Sequence, residues 1–71
     1  MKAGDLVMFI DKGTYAKWFF GQLAVAKSVS QNERGTWHCR VAWLQPVKYH
    51  DSYTTISDFS VDKFEVCSDR I

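Results

Sequence analysis

Residues 37–43 read WHCRVAW, with Trp37, Cys39, Val41 and Trp43 on odd positions and His38, Arg40 and Ala42 between them. A repeat of two is the period of a β-strand, whose successive side chains leave opposite faces. The rest of the chain follows the same period, and none of it follows the 3.6-residue period of an amphipathic helix. Turn residues interrupt the pattern at short intervals: Gly4-Asp5, Gly13, Gly35 and Pro46. Short strands joined by loops are what such a chain can build. At 71 residues there is room for one domain, residues 1–71. A domain this small buries only about 60% of the surface its unfolded chain exposes, so its stability margin is thin.

Five strands are expected. GDLVMFI places the first at about 5–10, and FFGQLAVAKSVS the second at roughly 19–29. Gly21 inside the second marks a bulge or bend. QNERGT is a hairpin loop, and WHCRVAWL is strand three, 37–44. Pro46 ends it, because proline has no N–H for the ladder. VKYHDSY then reads as a long polar-aromatic loop, YTTISDF as strand four, and SVDK as a one-turn 3₁₀ helix capped by Ser60. FEVC is strand five, with Phe64 and Val66 inward. Leu23 and Val25 join Val7, Cys39, Val41 and Ile56 in the expected core. Trp18, Phe19 and Phe20 cannot all point inward from a strand, so Phe19 or Phe20 goes inside and Trp18 sits at the rim.

Together these elements predict an all-β, small five-stranded barrel with a one-turn 3₁₀ helix before the last strand. GDLVMFI, GQLAVA and TTISDFSVDKFEV resemble the SH3-like barrel group, especially its Tudor-type members. The resemblance spans nearly the whole chain and implies the fold, not the function. The ending also resembles that of type II dihydrofolate reductase, in which four SH3-like chains form a pore. That family lines its pore with a Val-Gln-Ile-Tyr stretch. Here Thr54, Thr55, Ile56 and Ser57 stand in those places. Only Ile56 matches, which argues against an oligomeric pore enzyme.

Composition bears on partners. Three Trp, three Tyr and five Phe are more aromatics than a small core hides, which points to a contact surface. The net charge of +1 lacks the basic excess of a duplex-DNA binder. In an antiparallel meander the connections from strand one to two and from three to four emerge at one end. They carry Tyr15, Trp18, Trp43, Tyr49 and Tyr53, with Asp11 and Asp51 beside them. This rim suits a protein or peptide partner. Single-stranded nucleic acid is the alternative, its bases stacking on the aromatics and its phosphates meeting Lys12, Lys17 and Lys48. A cation cage of the Tudor kind is a further reading of the same aromatics and acids.

A second surface is expected on the outward face of the central hairpin. Ala24, Ala26 and Ala42 would lie flat there beside His38 and Arg40, as a contact in a homodimer or higher oligomer. The potential metal ligands, His38, Cys39, His50 and Cys67, have no C-x-x-C pairing, and His38 and Cys39 point apart on a strand. No metal and no cofactor is expected, and no enzymatic constellation is oriented. The N-terminus lacks a secretory pattern and no apolar run reaches membrane-spanning length. A cytoplasmic protein with two reduced thiols and no membrane partner is therefore expected.

Overall fold

The computed structural model describes residues 1–13 and 16–67. Strands β1 (Leu6–Phe9), β2 (Leu23–Gln31), β3 (Trp37–Tyr49), β4 (Ser52–Ser60) and β5 (Phe64–Val66) form one antiparallel sheet in the order β4-β3-β2-β1-β5. A helical turn, α1 (Ala16–Phe19), lies between β1 and β2, and a 3₁₀ turn (Val61–Lys63) precedes β5. Ser60 sits at the N-cap of the 3₁₀ turn in extended conformation, but its hydroxyl makes no capping bond. The expected all-β fold and the turn before the last strand are present.

The sheet curls on itself. Phe9 of β1 lies 4.9 Å, centroid to centroid, from Phe59 of β4, and Phe59 lies 6.0 Å from Phe64 of β5. Strands at opposite ends of the order thus meet through their side chains. Among the described residues no ladder joins β4 to β5. The core enclosed this way is Val7, Phe9, Phe19, Ala24, Cys39, Val41, Trp43, Val47 and Phe64. Its centre is aromatic: Phe9 packs on Phe19, Trp43 and Phe64 as well. Tilted and edge-on ring pairs of this kind add about 0.5–1.5 kcal/mol each beyond the area they bury.

Four sequence expectations are corrected. First, residues 16–19 are helical, so the second strand begins at Leu23 and not at 19. Ala16 N–H reaches Gly13 O (3.1 Å), and Phe20 N–H reaches Ala16 O (3.1 Å). Gly21, at φ +81°, reverses the chain out of the turn, and its N–H bonds Phe9 O (2.8 Å). A left-handed conformation at that point is cheap only for glycine.

Second, the parity of β2 is the reverse of that expected. Ala24 and Ala26 are buried, whereas Leu23 is 39% exposed and Val25 half-buried. Ala24 lies opposite Val7 and Trp43, both of which point inward. Opposed residues share a face, so the alanines fill the space left between large rings. The bulge falls between Ala26 and Ser28, not at Gly21. Beyond it the inward parity shifts to Val29, which packs against the core.

Third, β3 does not stop before Pro46 but runs through it to Tyr49. The β3–β4 register passes from Ala42↔Ile56 to Val47↔Thr54. Residues 43–46 of β3 therefore face only Thr55 of β4. Pro46 falls in this unpaired bulge, where no ladder N–H is required. The expected loop 47–53 is instead strand and a tight hairpin: Tyr49 pairs with Ser52 across His50 and Asp51, with His50 at φ +57°.

Fourth, Ile56 is 55% exposed. It lies opposite Ala42, on the outward side of β3. Ser57 and Phe59 carry the inward side of β4, opposite Val41 and Cys39. Cys39 is buried and Cys67 half-buried, and both are free thiols.

Candidate functional site

The helical turn explains how three consecutive aromatics are distributed. Successive side chains on a helix diverge by about 100°, against the half-turn of a strand. Phe19 enters the core, stacked on Trp43 at 5.1 Å. Phe20 faces solvent, with Lys12 Nζ 5.5 Å from its centroid. Trp18 packs on the tip of the β3–β4 hairpin. Its ring lies 4.9 Å from Tyr49, edge-on, and 4.9 Å from His50. Tyr49 and His50 pack at 4.3 Å. Trp18 and Tyr49 are half-buried and His50 is exposed. Lys17 Nζ lies 4.4 Å over the indole.

This cluster borders a cleft of about 270 Å³ lined by Phe19, Tyr49, Thr54, Ser57, Asp58 and Phe59. Its apolar lining is aromatic, and its polar lining is Thr54, Ser57 and Asp58. Ser57 Oγ accepts the indole N–H of Trp43 (2.9 Å), and Thr54 Oγ1 lies 3.5 Å from Ser57 Oγ. The cleft opens along β4, which ends the strand order on that side.

The expected rim residues divide accordingly. Trp18 and Tyr49 come together. Trp43 does not belong to the surface: it is buried, because β3 continues beyond it and holds its ring over the core. Tyr53 is 69% exposed but lies opposite Lys48, one step out of phase with the Tyr49–Ser52 pair, and so leaves the other face of the hairpin. Asp51 is exposed at the hairpin turn. Asp11 is engaged elsewhere, with Lys63 Nζ at 3.1 Å. Tyr15 lies outside the described residues. The sequence did not point to His50 as a neighbour of Trp18, nor to Thr54, Ser57 and Phe59 as the lining of the adjoining cleft. The β-branched and hydroxylic run TTIS, residues 54–57, two residues before Phe59, was the available signal.

The second expected surface changes its membership. Ala24 and Ala26 are inside, so they offer no contact to another chain. Ala42 is half-buried on the outward face, with Arg40 exposed beyond it. Arg40 Nε and Nη2 donate to the two carboxylate oxygens of Asp58, at 2.9 and 3.1 Å. These bonds hold the Asp58 carboxyl below its usual range and the Arg40 guanidinium above its own. His38 Nε2 lies 3.0 Å from Asn32 Nδ2. Beside the β2 bulge, where Ala26 N–H bonds Asp5 O (2.9 Å), Lys2 N–H donates to Asp5 Oδ2 (2.9 Å), which lowers the Asp5 carboxyl; Lys2 Nζ adds a bond at 3.3 Å. Burial, with Asp58 as a lesser cause, pushes the Cys39 thiol up.

Among the described residues no three His, Cys, Asp or Glu side chains converge as a metal site would require. Nor is any helix among them long and apolar enough to cross a membrane. The chain matches no protein-family model, no curated protein and no solved structure.

Proposed function

We propose that this chain is a cytoplasmic, non-catalytic binding module that docks a protein segment at the cleft beside Trp18 and Tyr49. The observation that carries this reading is the pairing of a half-exposed Trp18–Tyr49–His50 cluster with an aromatic-lined cleft along the outer strand β4. At about 270 Å³ the cleft falls short of the roughly 300–1,000 Å³ typical of small-molecule sites. One or two side chains of a peptide fit such a volume. Large amphipathic rings are also the residues that most often dominate contact energetics. A peptide with an apolar anchor would seat that anchor on Phe19 and Phe59 and reach Thr54 and Ser57 with its polar atoms.

Single-stranded nucleic acid is the second reading, favoured by Lys17 over the Trp18 ring. That arrangement places positive charge beside a stacking face.

The test is selection of a random peptide library against the folded chain, followed by titration of the winners. Selected peptides should share an aromatic or aliphatic anchor. Trp18→Ala should weaken them at least tenfold with the β circular dichroism spectrum retained, and Tyr53→Ala should leave them unchanged. Peptides indifferent to Trp18→Ala would refute the site. Tight capture of single-stranded oligonucleotides that fades steeply with salt would favour the second reading.

A further inference from the structure

Beyond the β2 bulge, a cavity of about 370 Å³ is lined by Ser28, Ser30, His38, Cys39, Arg40 and Asp58. Its volume falls within the roughly 300–1,000 Å³ typical of small-molecule sites. The register sets its polar side chains in two rows. Ser28 lies opposite Arg40, and Arg40 opposite Asp58; Ser30 lies opposite His38. Arg40 uses Nε and Nη2 on the two oxygens of Asp58, which fixes the plane of the guanidinium. Arginine carries five N–H donors in one plane, so the edge formed by Nη1 and Nη2 stays open for a second bidentate partner. His38 also presents a donor. Asn32 Oδ1 accepts the N–H groups of Arg34 and Thr36, both at 2.9 Å, so the atom 3.0 Å from His38 Nε2 is the amide nitrogen. Nε2 therefore accepts, and this network assigns the ring proton to Nδ1.

We propose that this cavity binds the phosphate group of a small phosphate monoester. Ser28, Ser30, His38 and Arg40 each offer an O–H or N–H donor to it. The open guanidinium edge makes two parallel bonds to two phosphate oxygens, the geometry in which arginine binds oxyanions best. A carboxylate would have both of its oxygens taken there. A phosphate keeps a third oxygen for the serine hydroxyls and the His38 Nδ1–H. Rows two residues apart along a strand are about 7 Å apart. A tetrahedral group with hydrogen bonds of about 2.8 Å on either side bridges that gap. Asp58 is the one acid among the lining residues, and its charge is matched by Arg40. It lies across β3 from the serines and holds the other guanidinium edge, so the ligand joins that pair without displacing it. Lys27, exposed next to Ser28, adds positive charge to the same stretch of β2. Asp58 also borders the Trp18 cleft, but the ligand's contacts are on β2 and β3, and the proposal does not rest on peptide binding there.

Titration of the full chain with inorganic phosphate at constant ionic strength, followed by proton–nitrogen NMR, tests this. The amide signals of Ser28, Ser30, His38 and Arg40 should shift together along one saturating curve. Acetate should bind at least tenfold more weakly. Arg40→Gln should weaken phosphate at least tenfold with the β circular dichroism spectrum retained. Ser28→Ala combined with Ser30→Ala, both at exposed positions, should weaken it severalfold, while Arg34→Gln in the hairpin loop should leave it unchanged. The imidazole nitrogen signals of the free chain should show the His38 proton on Nδ1, and bound phosphate should slow its exchange with water, a readout that needs no variant. Shifts that never saturate and spread over the surface lysines would mean an adventitious ion only and would overturn the proposal. Unchanged binding by Arg40→Gln, or acetate bound as tightly as phosphate, would overturn it as well.

Discussion

Val41 and Leu23 show how far burial at a single position departs from residue type. Val41 is fully enclosed, and Leu23, the larger and more apolar side chain, is 39% exposed. Val41→Ala should therefore cost about 1–3 kcal/mol through lost transfer energy and a cavity. Leu23→Ala should cost less than about 1 kcal/mol in the monomer. Urea unfolding of the two variants checks the order, and a larger loss at Leu23 would contradict the outward placement. Acid and base act at other single groups. The Asp5 carboxyl is lowered by the Lys2 N–H, so the unfolded chain binds its proton more readily than the folded one. Its contribution to stability is complete above the unfolded value and is lost as pH falls through the folded one. The Cys39 thiol is raised by burial, so its contribution is complete below the unfolded value near 9.0 and is lost as pH rises through the folded one. Asp5→Asn should flatten the acid limb of the melting-temperature profile, and Cys39→Ala the alkaline limb.

At the scale of elements, α1 decides the site. One helical turn sends Phe19 inward and leaves Trp18 beside Tyr49, which a strand over the same residues cannot do. Gly21 ends that turn at φ +81°, with open space where a Cβ would stand. Gly21→Ala should therefore meet no clash and should cost about 1–2 kcal/mol of conformational strain alone. Urea unfolding would show the loss, and the Trp18 emission would shift to the red if the turn moves away from Tyr49. The bulge in β3 acts in the same way on a larger scale. It absorbs Pro46 without ending the strand and carries the hairpin tip out to Trp18.

In the whole molecule, one aromatic core ties together strands that are far apart in sequence. Phe9 touches rings from α1, β3, β4 and β5. Phe9→Ala should remove about 3–5 kcal/mol, as much as a domain of this size usually has in reserve. Its circular dichroism at 25 °C should be that of an unfolded chain. The same distant pairings make loop closure precede most of the stabilising contacts. Refolding by stopped-flow should then take milliseconds to seconds, as in other small all-β domains. A microsecond phase carrying the full amplitude would contradict that expectation.

Strand period, turn residues and charge were legible in the chain itself, because they depend on neighbours along the backbone. The alternation in WHCRVAW placed Cys39, Val41 and Trp43 on one face, and Gly35 and the SVDK segment marked a hairpin and the last turn. The direction of each face was not legible in β2, where Leu23-Ala24-Val25-Ala26 alternates large with small. Apolarity alone favours the leucine and valine as core. Only the assembled sheet shows that the rings of Phe9, Phe19 and Trp43 already fill the interior, leaving space for methyl groups there and sending Leu23 outward. Register is a property of paired strands, and a shift of one residue exchanges the faces. The site divides along the same line. Trp18 and Tyr49 were identifiable as surplus aromatics, but the helical turn and the bulge at Pro46 that bring them together, and the side of β4 that forms the cleft beside Tyr49, are set by tertiary packing.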